Sequence, residues 1–456
     1  DGRQHLTPAQ TNLDNQRNDA ANAAQWYPFR IATNELANAS EKLNSLKPLI
    51  TKYDYFKRLS QNYENPLYET ENGLLAMQLA LTPVAIARIQ KTVISLILSG
   101  ELDLNVESWC FCVIERDVPC GFIALSDLQE LLENLAQLSN YKLQLPKIKF
   151  KVYNTPEFED AHLSHQFDYT PQSISELNTN EYFDLLLDIS VIRRNIFEPA
   201  LPQMNAQKLV KIRSAKSVNT KRRFLSTALI QYPPLGKYEG DKFIEDNKRS
   251  EILTWFLQSI FRKKEFRLGQ IEILNRALQN KSVIGLLPTG SGKSLTYQLA
   301  VMLQAGVSLI VAPIKSLMKD QNLGLQKNGI DATVFINSSL RTAEERALAS
   351  SKLVNGEVMF CFISPERMQI AEFRHNLRVM SEENQNYFSY CIVDEAHCVS
   401  EWGHDFRTAY LRLGENLRNH CRTKSRSQLT IYGLTATASY DVLSDVQREL
   451  SMPEDA

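Results

Sequence analysis

The spacing of hydrophobic residues changes several times along the 456-residue chain. Residues 1–30 are polar, rich in Asn and Gln, and carry no apolar period, which predicts a poorly ordered lead-in. Over 31–105 the period is helical. Leu36, Leu43, Leu46 and Leu49 recur on one face, and the run from Val84 to Leu98 does the same. From 106 to 235 short apolar runs alternate with a helical stretch. Trp109 to Ile114, Ile148 to Tyr153 and Tyr182 to Ile192 read as strands, the last interrupted only by Asp184 and Asp188. Ser126 to Leu138 reads as a helix with Ser126 at its cap. This part predicts a small α/β domain. Pro233, Pro234 and Gly236 break the pattern and mark a linker. From 245 to 456 helices alternate with short strands at Ser282–Leu286, Ser308–Val311, Val358–Ile363 and Tyr390–Val393, the order of a doubly wound parallel sheet.

Composition narrows the classes. A formal net charge of -1 gives no global sign of a polyanion partner, so a nucleic-acid surface has to be a local cluster of cations. Residues 208–223 are one such cluster: Lys208, Lys211, Arg213, Lys216, Lys221, Arg222 and Arg223 occur without an acid among them. They fit either a solvated linker face or a track for phosphates. The seven cysteines form no CxxC pair, which suits reduced thiols and a cytoplasmic setting. No run of about 18 apolar residues is evident, so no membrane partner is expected.

The chemistry concentrates after residue 280. An apolar strand runs into Pro288-Thr289-Gly290-Ser291-Gly292-Lys293-Ser294 and then into a helix. Glycines there let backbone amides turn towards an anion at a helix N-terminus. Lys293 can reach the outer phosphates of ATP, and the Ser294 hydroxyl can ligate Mg²⁺. The strict pattern asks for Gly where this chain has Leu287. A hundred residues on, a second apolar strand ends in Asp394, Glu395, Ala396 and His397. Adjacent acids at the end of a buried strand need cations. Asp394 suits the metal and Glu395 the attacking water, with His397 as a link to a second site.

Around these motifs the chain resembles the RecQ helicases of superfamily 2. The likeness rests on Phe266-Arg267-Leu268-Gly269-Gln270, on PTGSGKSLTYQ at Pro288–Gln298 and on Ala312–Gln321. It continues through Ser364–Met368, DEAHCVSEWGHDFR at Asp394–Arg407 and Gly433–Ala438. It implies a RecA-like P-loop lobe, preceded by a helical and a small α/β region, that uses ATP and Mg²⁺. It places Arg267 and Gln270 on adenine, with Lys263 where a stacking Tyr is usual, and Lys315 and Ser316 on a strand backbone. Trp402, His404, Phe406 and Arg407 would sense single-stranded DNA, with Glu401 where Gln is common. Thr435 and Thr437 would couple nucleotide state to strand grip. Stacking of bases on Trp402 and Phe406 would contribute roughly 1–3 kcal/mol each.

The implied activity is ATP-dependent, 3′-to-5′ movement on single-stranded and partly duplex DNA, in repair and recombination or in defence against phage. The chain starts at Asp1 and ends soon after the last motif, so we expect a second RecA-like lobe with arginine fingers elsewhere in a longer protein. A different class, a nucleotide-gated DNA-binding or assembly subunit that does not translocate, remains open. Residues 1–240 match no accessory domain of that family. Glu115, Arg116, Asp117, Asp184 and Asp188 suggest either a Mg²⁺-dependent nuclease or a scaffold that binds a protein partner.

Overall fold

The computed structural model describes residues 71–140, 146–155, 172–191, 203–213, 228–338, 342–400, 412–425, 427–436 and 439–453, with isolated positions besides. The lead-in and the helical expectation for 31–70 lie essentially outside them. So do Lys216, Lys221, Arg222 and Arg223 of the basic segment, residues 401–409, and Thr437. The chain divides into two compact units. One is formed by residues 1–95, 110–124 and 150–214, the other by 96–109, 125–149 and 215–456.

The first unit contains helix α1 (Glu71–Leu98, for most of its length) and strands β1 (Ser108–Glu115), β2 (Lys147–Asn154), β3 (Gln172–Ser173), β4 (Tyr182–Ser190) and β5 (Asn205–Arg213), in the sheet order β3-β2-β1-β4-β5. β4 pairs in parallel with both β1 and β5. Apart from its first residue and Asp184, β4 is buried throughout, which is why its sequence is a nearly unbroken apolar run. Two expectations change here. Helix α2 (Gly121–Ser139) begins five residues before Ser126, which therefore lies inside it. Its first amides are instead satisfied from a distance: the Glu115 carboxylate accepts from Cys120 N at 2.7 Å and from Gly121 N at 2.6 Å. The cap comes from the end of the preceding strand, five and six residues before these amides, and not from the usual Ncap position. In α1, Gln78–Leu98 does reach the length and mean hydropathy (1.4) of a membrane span. Its polar residues hide this from a search for unbroken runs. Ala85, Ile89 and Val93 form a buried stripe at four-residue spacing. Gln78, Arg88 and Gln90 on the same helix donate to backbone carbonyls of Asp117, Arg213 and Ala124, the pattern of a helix packed on protein.

The second unit is built on six strands: β8 (Val283–Leu286), β9 (Val307–Val311), β10 (Thr333–Ile336), β11 (Phe360–Ile363), β12 (Phe388–Asp394) and β13 (Thr430–Thr435). They lie in the order β10-β11-β9-β12-β13-β8, and every pairing is parallel. Period-two alternation sends their side chains into two cores. Ile310, Phe362, Ile392 and Leu434 face one, with residues of α3 (Asn247–Phe261), α4 (Gln270–Leu278), α5 (Lys293–Met302) and α6 (Lys315–Lys327). Leu309, Cys361, Val393 and Ile431 face the other, with α7 (Ala343–Val354), α8 (Ala371–Glu382), α9 (Leu413–His420) and α10 (Tyr440–Glu449). This is the doubly wound parallel sheet of a RecA-like lobe.

The segment that the prolines mark as a linker is part of this unit's packing. Tyr232 N donates to Leu278 O (3.0 Å), its buried hydroxyl to Leu303 O (2.5 Å), and Leu235 N to Asn275 Oδ1 (2.7 Å). A hairpin of β6 (Gly236–Glu239) and β7 (Lys242–Glu245) follows, and Asp246 caps α3 by accepting from Arg249 N. Prolines here stop regular structure without freeing the chain.

Candidate nucleotide and nucleic-acid site

Strand register explains why residues a hundred positions apart meet. Val393 and Asp394 pair with Gly433 and Leu434, and Leu434 and Thr435 pair with Gly285 and Leu286. The phosphate loop, the acidic box and the Thr435 motif therefore leave the sheet at one edge, the carboxyl ends of parallel strands, where α/β proteins bind ligands.

Gly290 and Gly292 adopt φ of 78° and 81°, and Gly292 is the N-cap of α5. At Gly292 a side chain would be strained by the positive φ, and an added Cβ, 2.9 Å from Gln270 Nε2, would also push that amide aside. Ser291 Oγ donates to Pro288 O at 2.6 Å and closes the turn. Thr289 is exposed at its tip. The cavity beside the loop, about 410 Å³, is lined by residues that include Lys263, Arg267, Gln270, Ser291, Ser294 and Gln321. Gln270 is almost fully buried. It accepts from Arg267 N (2.9 Å) and donates to Ser291 O (2.8 Å) and Gly292 O (3.2 Å), while Arg267 Nη1 donates to Gly290 O. The pair expected to read the base thus also fastens its own segment to the glycine-turned loop.

Lys293 directs its amine at the acidic box, with Nζ 3.4 Å from Glu395 Oε1. His397 Nδ1 lies 3.4 Å from Glu395 Oε2 and 2.9 Å from Thr435 Oγ1. A continuous polar chain, Lys293–Glu395–His397–Thr435, runs across three strand ends. Glu395 holds a left-handed backbone (φ 51°, ψ 51°), a conformation that costs a non-glycine residue of order 1 kcal/mol and is concentrated at functional sites. Asp394 ends β12 with only 7% of its surface exposed. Burial and then the neighbouring Glu395 charge push its carboxyl up to about 6, partly offset by the Glu395 amide, Lys293 and His397. A carboxylate so desolvated is a good seat for a divalent cation. With turned-in glycines, a lysine, the Ser294 hydroxyl and the Asp394 carboxylate, the residues fit a Mg²⁺-bound nucleoside triphosphate.

A second cavity of about 560 Å³ opens beyond the carboxyl ends of β9, β10 and β11, where Lys315, Arg346 and Arg367 converge with Ser338 and Ser364 and a single acid, Glu366. Lys315 and Ser316 are exposed in the first turn of α6, which has no side-chain cap to occupy its amides. Sequence reasoning missed Arg346, which sits on α7 outside every motif. Its only sequence signal is its place in the first turn of a capping-box helix, where Thr342 and Glu345 satisfy each other's backbones. Trp402, His404, Phe406 and Arg407 lie outside the described residues.

The carboxylates of the first unit are engaged in its structure. Asp188 is paired with Arg116 (2.6 Å) and Arg213 (2.8 Å). Asp117 accepts from Ser190 Oγ (2.7 Å) and Val191 N (3.0 Å), and Asp184 accepts from Cys110 N (2.7 Å). Glu115 caps α2, as described. Among the described residues no group of three or more His, Cys, Asp or Glu side chains is arranged to hold a metal. The geometry is that of a buried ionic network, held together by its internal pairing.

Comparison with known proteins places the second unit in a class. Residues 267–446 match the family described as DEAD/DEAH box helicase. Within it, the motor region is RecQ-like. It is 38% identical over 198 residues to the ATP-dependent DNA helicase RecQ of Haemophilus influenzae, covering 43% of this chain and 29% of that protein. It is 35% identical over 207 residues to the ATP-dependent DNA helicase Q1 of Mus musculus, covering 44% of this chain and 31% of that one. The chain thus spans under a third of either relative. Among solved structures, the DUF1998 helicase MrfA bound to DNA and AMPPNP aligns over 51% of this chain and 32% of its own, with 17% identity and a TM-score of 0.36.

Proposed function

We propose that this chain carries the first motor lobe of a RecQ-type helicase, which hydrolyses ATP when single-stranded DNA is bound and moves 3′ to 5′ along it. The observation that carries the reading is the polar chain Lys293–Glu395–His397–Thr435, joined to a glycine-turned phosphate loop.

In this mechanism Arg267 and Gln270 hold the base, and the loop amides with Lys293 hold the phosphates. Ser294 and Asp394 would hold Mg²⁺, which would supply charge neutralisation on the phosphates. When the phosphates draw Lys293 away, Glu395 is left to orient a water and accept its proton. His397 stays in contact with both Glu395 and Thr435 and reports the state of Glu395 to the strand edge. The strand lies on Lys315, Ser316 and the groove beside them, with Trp402, His404, Phe406 and Arg407 as its sensors and Thr437 acting with Thr435. Intact Lys293 and Glu395 favour hydrolysis over a gated binding subunit. We place the motor in DNA repair and recombination or in phage defence. Its seven free thiols, six of them buried, suit a cytoplasmic compartment with access to the nucleoid.

The test is ATP hydrolysis by the full-length protein with and without single-stranded DNA, beside a Glu395→Gln variant. Strong stimulation by DNA that disappears in the variant supports the proposal. Turnover indifferent to DNA, or unaffected by the substitution, removes it.

A further inference from the structure

Helix α6 touches both candidate sites. Its first residue, Lys315, lines the cationic groove. Six residues on, about 9 Å along the axis, Gln321 lies against the phosphate-loop helix. Gln321 Nε2 donates to Ser294 Oγ at 2.6 Å, and Gln321 Oε1 accepts from Gln298 Nε2 at 3.0 Å and from the Tyr297 hydroxyl at 3.3 Å. Tyr297 is completely buried, so the acceptor end of the amide is anchored in the core. The donor end sets the hydroxyl we assign to the metal. Gln321 also lines the nucleotide cavity. One side chain therefore bears on the seat of the metal while riding on the helix whose first turn faces the strand.

We propose that Gln321 is a positioning residue that couples the two sites. Docking of a phosphate backbone on the first turn of α6 shifts the helix, and Gln321 transmits that shift to Ser294, changing how well the hydroxyl is placed for the metal-bound nucleotide. The route is separate from the acidic box and the loop that follows it. It works in both directions, because binding linkage is reciprocal: the factor by which DNA changes nucleotide affinity equals the factor by which nucleotide changes DNA affinity. The inference rests on the DNA-coupled motor reading above, and the experiment separates the two.

The measurement is a linkage square on the full-length protein in Mg²⁺. The dissociation constant of a fluorescent non-hydrolysable ATP analogue is determined with and without saturating oligo-dT, and that of oligo-dT with and without the analogue. Wild type should show a coupling factor in the usual range of about 5- to 150-fold, the same from both sides. Gln321→Met keeps the volume and removes all three hydrogen bonds. Gln321→Glu still accepts from Tyr297 and Gln298 but can meet Ser294 only by accepting from its hydroxyl, which reverses that bond, and it serves if the Met variant melts early. In both, the coupling factor should fall to within twofold of one. A merely structural role would weaken nucleotide binding equally with and without DNA and leave the factor intact; that result overturns the inference. If wild type itself shows no linkage, the DNA-coupled motor reading fails and this inference falls with it.

Discussion

Replacing Asp394 with Asn removes a negative charge from the end of β12, where the side chain is only 7% exposed. Burial and the adjacent Glu395 hold this carboxyl at about 6, against an ordinary value of 3.8. The folded state binds the proton more tightly than the unfolded chain, so the ionised form works against folding. At pH 8 the difference amounts to roughly 3 kcal/mol. It falls to about half of that at pH 5 and vanishes below pH 4, where Asp394 is protonated in both states. Asn has the same shape, and its Oδ1 can keep the bond that Asp394 accepts from Glu395 N at 3.1 Å. In buffer free of nucleotide and divalent metal, Asp394→Asn should therefore be more stable than wild type by up to about 3 kcal/mol at pH 8, narrowing to about half at pH 5. In a unit of this size that is a rise of roughly 6–12 °C in melting temperature. Urea unfolding at the two pH values is the assay, with ATP hydrolysis as the functional counterpart, expected to be lost. Such a gain of stability with loss of function is the usual signature of an active-site charge. Equal or lower stability of the variant at pH 8, or a gain of the same size at pH 5, would refute the reasoning.

Three further outcomes are expected. Changing Lys315, Arg346 or Arg367 singly to Gln should lower the slope of log affinity for oligo-dT against log salt by roughly 0.7, whereas Lys237→Gln, in an ion pair with Glu239 on the β6–β7 hairpin, should leave it alone; an unchanged slope for Arg346→Gln removes that residue from the strand path. Tyr232→Phe, which deletes only the hydroxyl bonded to Leu303 O, should cost about 1–3 kcal/mol by leaving a buried carbonyl without its donor; a neutral effect in urea unfolding would return residues 228–235 to the status of a linker. Asp188→Asn should destabilise the first unit by about 3–5 kcal/mol, because two guanidinium groups lose a buried partner; loss of a DNA-cleaving activity with stability intact would instead support a nuclease.

The sequence by itself determined the candidate nucleotide site and the fold of the lobe that carries it. Gly290, Gly292, Lys293 and Ser294 lie within five consecutive residues, and Asp394 to His397 are contiguous. Their spacing to the apolar strands before them is local information that the chain must carry in order. The buried strands β9, β11 and β12 announce themselves as short, mostly apolar runs, whereas β13, buried throughout as well, carries Thr430, Gly433 and Thr435 and does not. The tertiary structure decided everything that depends on which distant residues become neighbours. It bound the Pro233–Pro234 segment to α4 and the end of α5. It also spent the first unit's acids on Arg116, Arg213, Ser190 and backbone amides. It brought Arg346 into the groove from a helix with no motif, and set Gln321 of one motif on Ser294 of another. Local rules act through backbone conformation and period over a few residues. Charge pairing, capping from afar and hydrogen bonds between motifs depend on packing, and packing exists only once the strands are in register.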